Sequence, residues 1–373
     1  MHVAIDALLL KNQNAGTGLY THHLLKALAQ VPSAYHFTVF TDAAYHFASG
    51  FESSSMNSEK VKLYGTAHRI AWEQLILPKR LRDMQVDVTL YPFFTKPVLS
   101  HVPAVVIVHD ALIKVYPELI ERPRRWYLDT MITHAIKQAA YILTVSEYAK
   151  SDLVKHYGIE PARILLAPAA AAPHFEVKIS EEERCATLHK YAVPFDQFFL
   201  SVGISHKYKN YIELLSAFRA ALVENPALRL VMVGSAGNDQ EAIDAFIEQH
   251  ALDTKVFCAR YVKSEDLRAF YASAVALVMT SRYESFAMPI VEAMHVGCPV
   301  IIANRTAMPE TAGDAALRYD TMEDLTHRLL DMWSNEMLRQ RLVTSGYAQA
   351  KKFSWLNTAQ CVLEALEKAV RAV

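Results

Sequence analysis

Cysteine is scarce in this chain and never clustered. Cys185, Cys258, Cys298 and Cys361 are its four cysteines, and they form no C-x-x-C. That spacing argues against a zinc site or a disulfide framework and fits a reducing cytoplasm. Long apolar runs are missing too, and none approaches the roughly 20 residues that span a bilayer. No basic segment followed by an apolar signal core opens the sequence; Met1 to Leu10 reads instead as a buried strand with Asp6 inside it. Secretion and membrane spanning are therefore not expected. Nor is one sign of charge in excess: the net charge is −1, so no global attraction to nucleic acid or to a membrane is encoded, although local patches can act. No short repeat or low-complexity segment is visible.

What remains is an ordinary globular composition, 52 % hydrophobic and 21 % charged, over 373 residues, long enough for two domains. Short β-rich runs alternate with helical patterns throughout, which points to βαβ units and parallel sheets. Candidate strands in the first half are Val3 to Leu8, Phe37 to Phe40, Val61 to Tyr64, Val88 to Tyr91, Ala104 to Val108, Ile142 to Val145 and Ile164 to Ala167. In the second half they are Phe199 to Val202, Arg229 to Val233, Lys255 to Ala259, Ala274 to Met279, Val300 to Ala303 and Ala316 to Tyr319. The expected division is a first domain over 1–172, a connection over 173–194 that is partly helical, a second domain over 195–354 and a terminal helix over 355–373.

Glu284 and Glu292 lie eight positions apart between the apolar runs Ala274 to Met279 and Pro299 to Ile302. Pro289 suits the first position of a helix. Glu284 then falls in the loop leaving a strand's carboxyl end, and Glu292 about one turn inside the helix that follows. Ligands of open α/β sheets bind at that end of the strands, and ionised carboxylates accept strong hydrogen bonds from hydroxyls. A loop acid followed by a glutamate that complements the helix dipole is the plainer alternative.

With Glu284-Ser285-Phe286, Pro289, Glu292-Ala293-Met294 and Gly297-x-Pro299-Val300, this stretch resembles the E-x7-E signature of glycosyltransferase family 4, whose members are retaining enzymes. The segment 304–314, with Met308-Pro309-Glu310 and Ala312-Gly313-Asp314, also follows the family's sequence. The resemblance implies a GT-B fold, in which two Rossmann-like α/β domains with parallel sheets face each other across a cleft and a C-terminal helix crosses back onto the first. Ala287 stands where the family usually has glycine, which leaves the backbone less free to approach a phosphate.

Further motifs fall at strand-to-helix turns. Gly16, Gly18 and Tyr20 match the family's glycine-rich loop, with Leu19 in place of its arginine. Glycines at such a turn admit a phosphate or an acceptor, while a G-x-G alone is equally a plain turn. His109-Asp110 ends the strand from Ala104, where a histidine can donate to a sugar hydroxyl or a phosphate oxygen and titrates near neutral pH; a capped turn is the alternative. Gly203, Lys207, Lys209 and Asn210 resemble the family's diphosphate grip, with Tyr208 at the usual arginine position. Trp72 and Glu73 echo a pattern of mannosyl-type members and stand as acceptor-side candidates with Tyr20, although Trp72 equally suits a core. Tyr261-Val262 lies where the family holds the donor base, and Val233 to Gly237 closes a strand that either nears the nucleotide or is structural.

The activity this implies is transfer of a hexose from a nucleoside-diphosphate sugar to a saccharide or lipid-linked acceptor in cell-surface polysaccharide synthesis, with the anomeric configuration retained. GDP-mannose is the preferred donor, because the resemblance is to O-antigen and exopolysaccharide mannosyltransferases. Glu292 would bind the ribose. Glu284 would bind the transferred sugar, assisted by Ser285, Phe286, Ala287 and Met288. Lys209, Lys207 and the loop at Gly16 would stabilise the diphosphate, with His109 and Asp110 beside the sugar. No Asp-x-Asp occurs, in keeping with a reaction that needs neither metal nor cofactor. Arg122, Arg124 and Arg125 before Trp126 and Tyr127, with Lys79, Arg80 and Arg82, can dock a protein peripherally on anionic lipid at the cytoplasmic membrane face; a solvated helix face with buried aromatics explains them equally. A nucleotide-sugar epimerase and a non-catalytic sugar-nucleotide-binding subunit are the competing readings.

Overall fold

The computed structural model describes residues 1–10, 16–31, 34–43, 45, 53 and 55–372, and the chain divides into two units. Unit 1 comprises Met1–Ala169 and Ser354–Val373, and unit 2 comprises Ala170–Phe353.

Among the described residues, unit 1 is built on a seven-stranded parallel sheet: β1 (His2–Ala7), β2 (His36–Asp42), β3 (Met56–Val61), β4 (Val88–Tyr91), β5 (Ala104–Ile107), β6 (Tyr141–Thr144) and β7 (Ile164–Leu166). Their order is β3-β2-β1-β4-β5-β6-β7. Val3, Ile5, Val88, Leu90, Val105, Val106, Ile142 and Leu143 are fully buried, as central strands covered on both faces require. The third strand lies at Met56–Val61, not at the expected Val61 to Tyr64. It pairs along β2 from Phe37 opposite Met56 to Asp42 opposite Val61. At a sheet edge the polar residues Asn57 to Lys60 reach water, so no apolar run marks the strand.

Unit 2 is built on six parallel strands: β8 (Phe198–Val202), β9 (Leu230–Val233), β10 (Val256–Arg260), β11 (Ala274–Met279), β12 (Val300–Ala303) and β13 (Leu317–Tyr319), in the order β10-β9-β8-β11-β12-β13. In both sheets the strand order reverses beside the unit's first strand, between β1 and β4 and between β8 and β11. The carboxyl ends of strands at such a switch point flank a ligand crevice in doubly wound folds.

Helix Glu181–Lys190 lies inside the segment expected as a connection. Ser180 caps it by accepting from the Glu183 amide at 3.1 Å, and Glu181 to Glu183 complement its dipole. Lys190 pairs with Asp266 at 2.7 Å and Glu183 pairs with Arg268, so this segment belongs to unit 2. Helix Trp355–Arg371 packs in unit 1 through Trp355, Ala359, Val362 and Leu366, all buried. There the Thr358 hydroxyl donates to the Pro168 carbonyl at 2.6 Å, and Trp355 stacks on His23 with 5.3 Å between ring centroids. No helix among the described residues is long and apolar enough to cross a membrane.

Candidate active site

Lys209 and Glu284 are 75 residues apart in sequence and meet in unit 2, at the switch point between β8 and β11. After β8 the chain makes a tight turn over Lys207–Lys209, and Asn210 takes the left-handed conformation that starts helix Tyr211–Glu224. The loop leaving β11 is tied to this turn. Thr280 donates to the Lys209 carbonyl at 2.9 Å, and the Arg282 amide donates to the Tyr208 carbonyl at 2.6 Å. The Lys209 ammonium is then 2.6 Å from a Glu284 carboxylate oxygen, with the two side chains only 14 % and 13 % exposed. Ser281 donates to the same oxygen at 2.7 Å. Burial works against the lysine's charge, but the Glu284 carboxylate, with Tyr208 and Tyr211, outweighs it and holds the ammonium pKa above its ordinary value.

Tyr208, standing where the family has arginine, places its ring 5.5 Å from that ammonium, a cation–π distance. Lys207 is exposed on the turn. Gly203 ends β8, where its carbonyl accepts from Tyr211 at 3.0 Å. Asn210 is buried, its amide donating to Glu213. Ser285, Phe286, Ala287 and Met288 carry the chain into helix Met288–Val296, where the Phe286 carbonyl accepts from Thr311. Ala287 holds a left-handed conformation, φ 71° and ψ 64°, so the backbone keeps the shape that glycine ordinarily supplies. A non-glycine residue pays about 1–2 kcal/mol there. Ala287→Gly is therefore expected to raise stability by about 0.5–1 kcal/mol after the entropy cost of glycine, and urea unfolding of the full chain with no upward shift in midpoint would contradict this.

Glu292 is turned inward at 6 % exposure and accepts a hydrogen bond of 2.8 Å from the Tyr271 hydroxyl. Burial pushes its pKa up to about 7, with the Tyr271 bond opposing. One carboxylate oxygen is thus committed to Tyr271. Tyr261 is 48 % exposed and Val262 is buried just after β10. Among the described residues no cluster of three or more His, Cys, Asp or Glu side chains is placed to hold a metal ion.

In unit 1 a cavity of about 440 Å³ is lined by Thr17, Gly18 and Asp110 together with Phe94, Arg124 and Tyr127, among others. Gly16 opens helix Gly16–Gln30 on the exposed side, and Asn14 and Ala15 lie outside the described residues. Asp110 caps its own turn by accepting from the Leu112 amide at 2.9 Å. Three expectations change. His109 is buried, which drives its pKa down to about 4 against a hydrogen bond to the Pro92 carbonyl. It is neutral at physiological pH rather than titrating there, and with its N–H given to Pro92 its unpartnered Nε2 is an acceptor, not a donor. Tyr20 is no acceptor contact: it is 2 % exposed, its hydroxyl donates to the Ala167 carbonyl at 2.8 Å, and its ring meets His109 edge-on at 4.7 Å. Trp72 is a core residue, packed 5.5 Å from Phe40. Glu73 is buried beside it, paired with Arg69 at 2.5 Å. Of the basic and aromatic group, Trp126 is 73 % exposed and Tyr127 lines the cavity.

Two doubly wound units, one with a shielded lysine–glutamate pair at its strand switch point, have the architecture of a glycosyltransferase of the GT-B fold. The comparisons agree. A model of glycosyl transferases group 1 matches residues 192–349, and one of Glycosyltransferase Family 4 matches residues 15–170. The O-antigen chain mannosyltransferase B of Escherichia coli is 28 % identical over 362 residues, covering 93 % of this chain and 94 % of that protein. The serotype-specific mannosyltransferase WbdA of Escherichia coli is 26 % identical over 255 residues, which is 67 % of this chain but only 31 % of that longer protein. The crystal structure of Anabaena Alr3699/HepE with UDP and glucose matches with a TM-score of 0.74 at 16 % identity, over 98 % of this chain and 99 % of that one. The chain belongs to the family-4, group-1 glycosyltransferases, and it is an enzyme of that class.

Proposed function

We propose that this enzyme transfers mannose from GDP-mannose to a hydroxyl of a saccharide or lipid-linked saccharide, with the anomeric configuration retained, in the synthesis of a cell-surface polysaccharide. The observation that carries the reading is the Lys209–Glu284 pair at the β8/β11 switch point. The likeness to the O-antigen chain mannosyltransferase B supports mannose as the transferred sugar.

Charge grows on the diphosphate as the glycosyl bond breaks, and a preorganised cation in a dry site stabilises it strongly. Lys209 is that cation, held charged before donor arrives, which supports a step without a metal. Glu284, already oriented by Ser281, accepts from hydroxyls of the transferred sugar. We do not assign it as a nucleophile. The leaving diphosphate takes the acceptor's proton as the new C1–O bond forms on the face it vacates. The free Glu292 oxygen accepts from the ribose.

Incubating the protein with GDP-mannose, UDP-glucose and UDP-galactose separately, each with a panel of methyl hexopyranosides as acceptors, tests this. Release of GDP with formation of a mannosylated product is expected, and a Glu284→Ala variant should lose roughly 100-fold or more in turnover. Use of a UDP-sugar instead would overturn the donor, interconversion of the sugar without transfer would make the protein an epimerase, and near-normal turnover by the variant would remove Glu284 from the site.

A further inference from the structure

Unit 1 has its own switch point, between β1 and β4, and it carries an arrangement that the donor chemistry leaves unused. Asp6 stands near the carboxyl end of β1 and Tyr91 at that of β4. Glu73 reaches them from Trp72–Ile76, a single π-helical stretch of the kind that often marks functional sites. The three line a chamber of about 10 Å³ with Leu9, Phe93 and Thr95, room for one water or hydroxyl. Leu9, Phe93 and Thr95 also line the 440 Å³ cavity, a volume within the usual ligand-site range of about 300–1,000 Å³. The chamber is therefore the polar end of that cavity, and Arg69 lines the cavity as well.

Two shielded carboxyl groups served by one arginine are not a self-contained ion pair. Arg69 is paired to Glu73 at 2.5 Å, which leaves Asp6 with the Leu8 amide, 3.2 Å away. Tyr91 is 2 % exposed, and its hydroxyl sits beside the Thr89 and Ser100 hydroxyls. The facing groups are Asp6 from β1, Arg69 and Glu73 from the helix beside it, Tyr91 from β4 and Tyr127 from helix Arg122–Gln138. Burial, then the charge of Glu73, push Asp6 up to about 8, with the Leu8 amide and Arg69 opposing. Burial raises Glu73 as well, but Arg69 opposes it. At neutral pH Asp6 is an acid that can donate, and Glu73 already accepts from the Arg69 guanidinium. Aromatic residues flank this end: Phe93, Tyr127 and Phe94, the last held at φ 65° against the His109 ring at 5.4 Å. A non-glycine residue in that conformation stores strain of the sort that collects at binding sites.

Resting on the glycosyl-transfer reading, we propose that Asp6 and Glu73 are the acceptor-recognition pair of this enzyme, together binding one hydroxyl of the acceptor's terminal sugar ring in the chamber, while the C–H face of the ring lies on Phe93, Phe94 and Tyr127. A donor beside an acceptor matches a single hydroxyl, which accepts from one carboxyl group and donates to the other. A sugar hydroxyl that enters the chamber meets both carboxyl groups at once.

The test is titration of the full chain with a panel of methyl α- and β-hexopyranosides followed by NMR, with GDP and UDP titrated in parallel. At least one glycoside should bind the wild type, with affinity falling above pH 8 as Asp6 ionises. Asp6→Asn keeps a donor at every pH, so it should bind within about threefold of wild type at pH 7 and lose the alkaline decline. Asp6→Ala and Glu73→Gln should each weaken glycoside binding about tenfold, with nucleotide affinity unchanged in all three. Absence of glycoside binding in wild type, unchanged binding in Asp6→Ala and Glu73→Gln, or an alkaline decline that persists in Asp6→Asn would each overturn the proposal. Failure of GDP and UDP to bind would strike the transferase reading instead, and it is scored separately from the glycoside curves. Asp6→Asn is isosteric and removes a buried acid, so its fold is retained for the measurement.

Discussion

Methionine in place of Lys209 is expected to lower kcat with GDP-mannose by about two to three orders of magnitude, the usual loss when a preorganised electrostatic partner of a transition state is removed. Methionine keeps the length and apolar stem of lysine and deletes only the charge. The ammonium sits 2.6 Å from Glu284 with both side chains nearly buried, so the single variant also leaves a carboxylate with Ser281 as its hydrogen-bond donor. Removing one partner of a buried pair costs about 3–5 kcal/mol of stability, and a drop in turnover alone would not separate the two effects. The double variant Lys209→Met with Glu284→Gln does. If the pair served only to neutralise itself, the double change would restore both stability and turnover. On the present reading stability recovers in the double variant while kcat stays low, because the cation that meets the diphosphate and the carboxylate that holds the sugar are both missing. Chemical denaturation and single-turnover kinetics on the same three proteins decide it, and recovery of kcat in the double variant would remove Lys209 from the reaction.

Much of this was legible before any fold was known, and the limits have physical causes. Central strands such as Ala104–Ile107 and Val300–Ala303 announce themselves because burial on both faces demands continuous apolar runs. The edge strand Met56–Val61 has no such demand and was misplaced toward Leu63, the next apolar residue. Glu284 and Lys209 were each readable from their place after a strand, but their meeting depends on β11 lying beside β8, which no local pattern states. Burial was the hardest quantity to foresee. His109 lies between the rings of Tyr20 and Phe94, partners 89 and 15 positions away, and their packing turns a titrating histidine into a neutral one. Trp72 and Glu73 are neighbours in sequence with opposite fates, one in the core against Phe40 and one at a chamber wall. Asp6 is legible in the sequence only as an acid inside a buried strand; its neighbours in β4 and Trp72–Ile76 come from the fold. Its signal in the sequence was an acid in an otherwise apolar first strand, near the carboxyl end where ligands bind.

The second large effect is expected at a residue that touches no substrate. Gly234 ends β9 with φ 152°, and a Cβ built there would lie 1.9 Å from the Gly203 carbonyl oxygen. The obstacle is backbone, so no rotamer change relieves it. Its amide also donates to the Arg260 carbonyl at 2.7 Å, which holds the residue from the other side. Gly234→Ala must therefore push the Gly203 turn or open the β9–β10 ladder. Overpacking of about 1–3 kcal/mol adds to backbone strain of about 1–3 kcal/mol, so a loss near 3 kcal/mol in the stability of unit 2 is expected. Gly16→Ala is the control: its φ of 57° carries a similar backbone penalty, but nothing lies within 4 Å of the added carbon, so about 1 kcal/mol is expected. Because the Gly203 turn leads directly to Lys209, the part of the Gly234→Ala population that stays folded should also lose turnover, whereas a mere loss of stability would leave kcat per folded molecule unchanged. Active-site titration with calorimetry separates these outcomes. An alanine at 234 no more disruptive than one at 16 would mean that the two loops do not press on each other as closely as the Gly203–Gly234 contact requires.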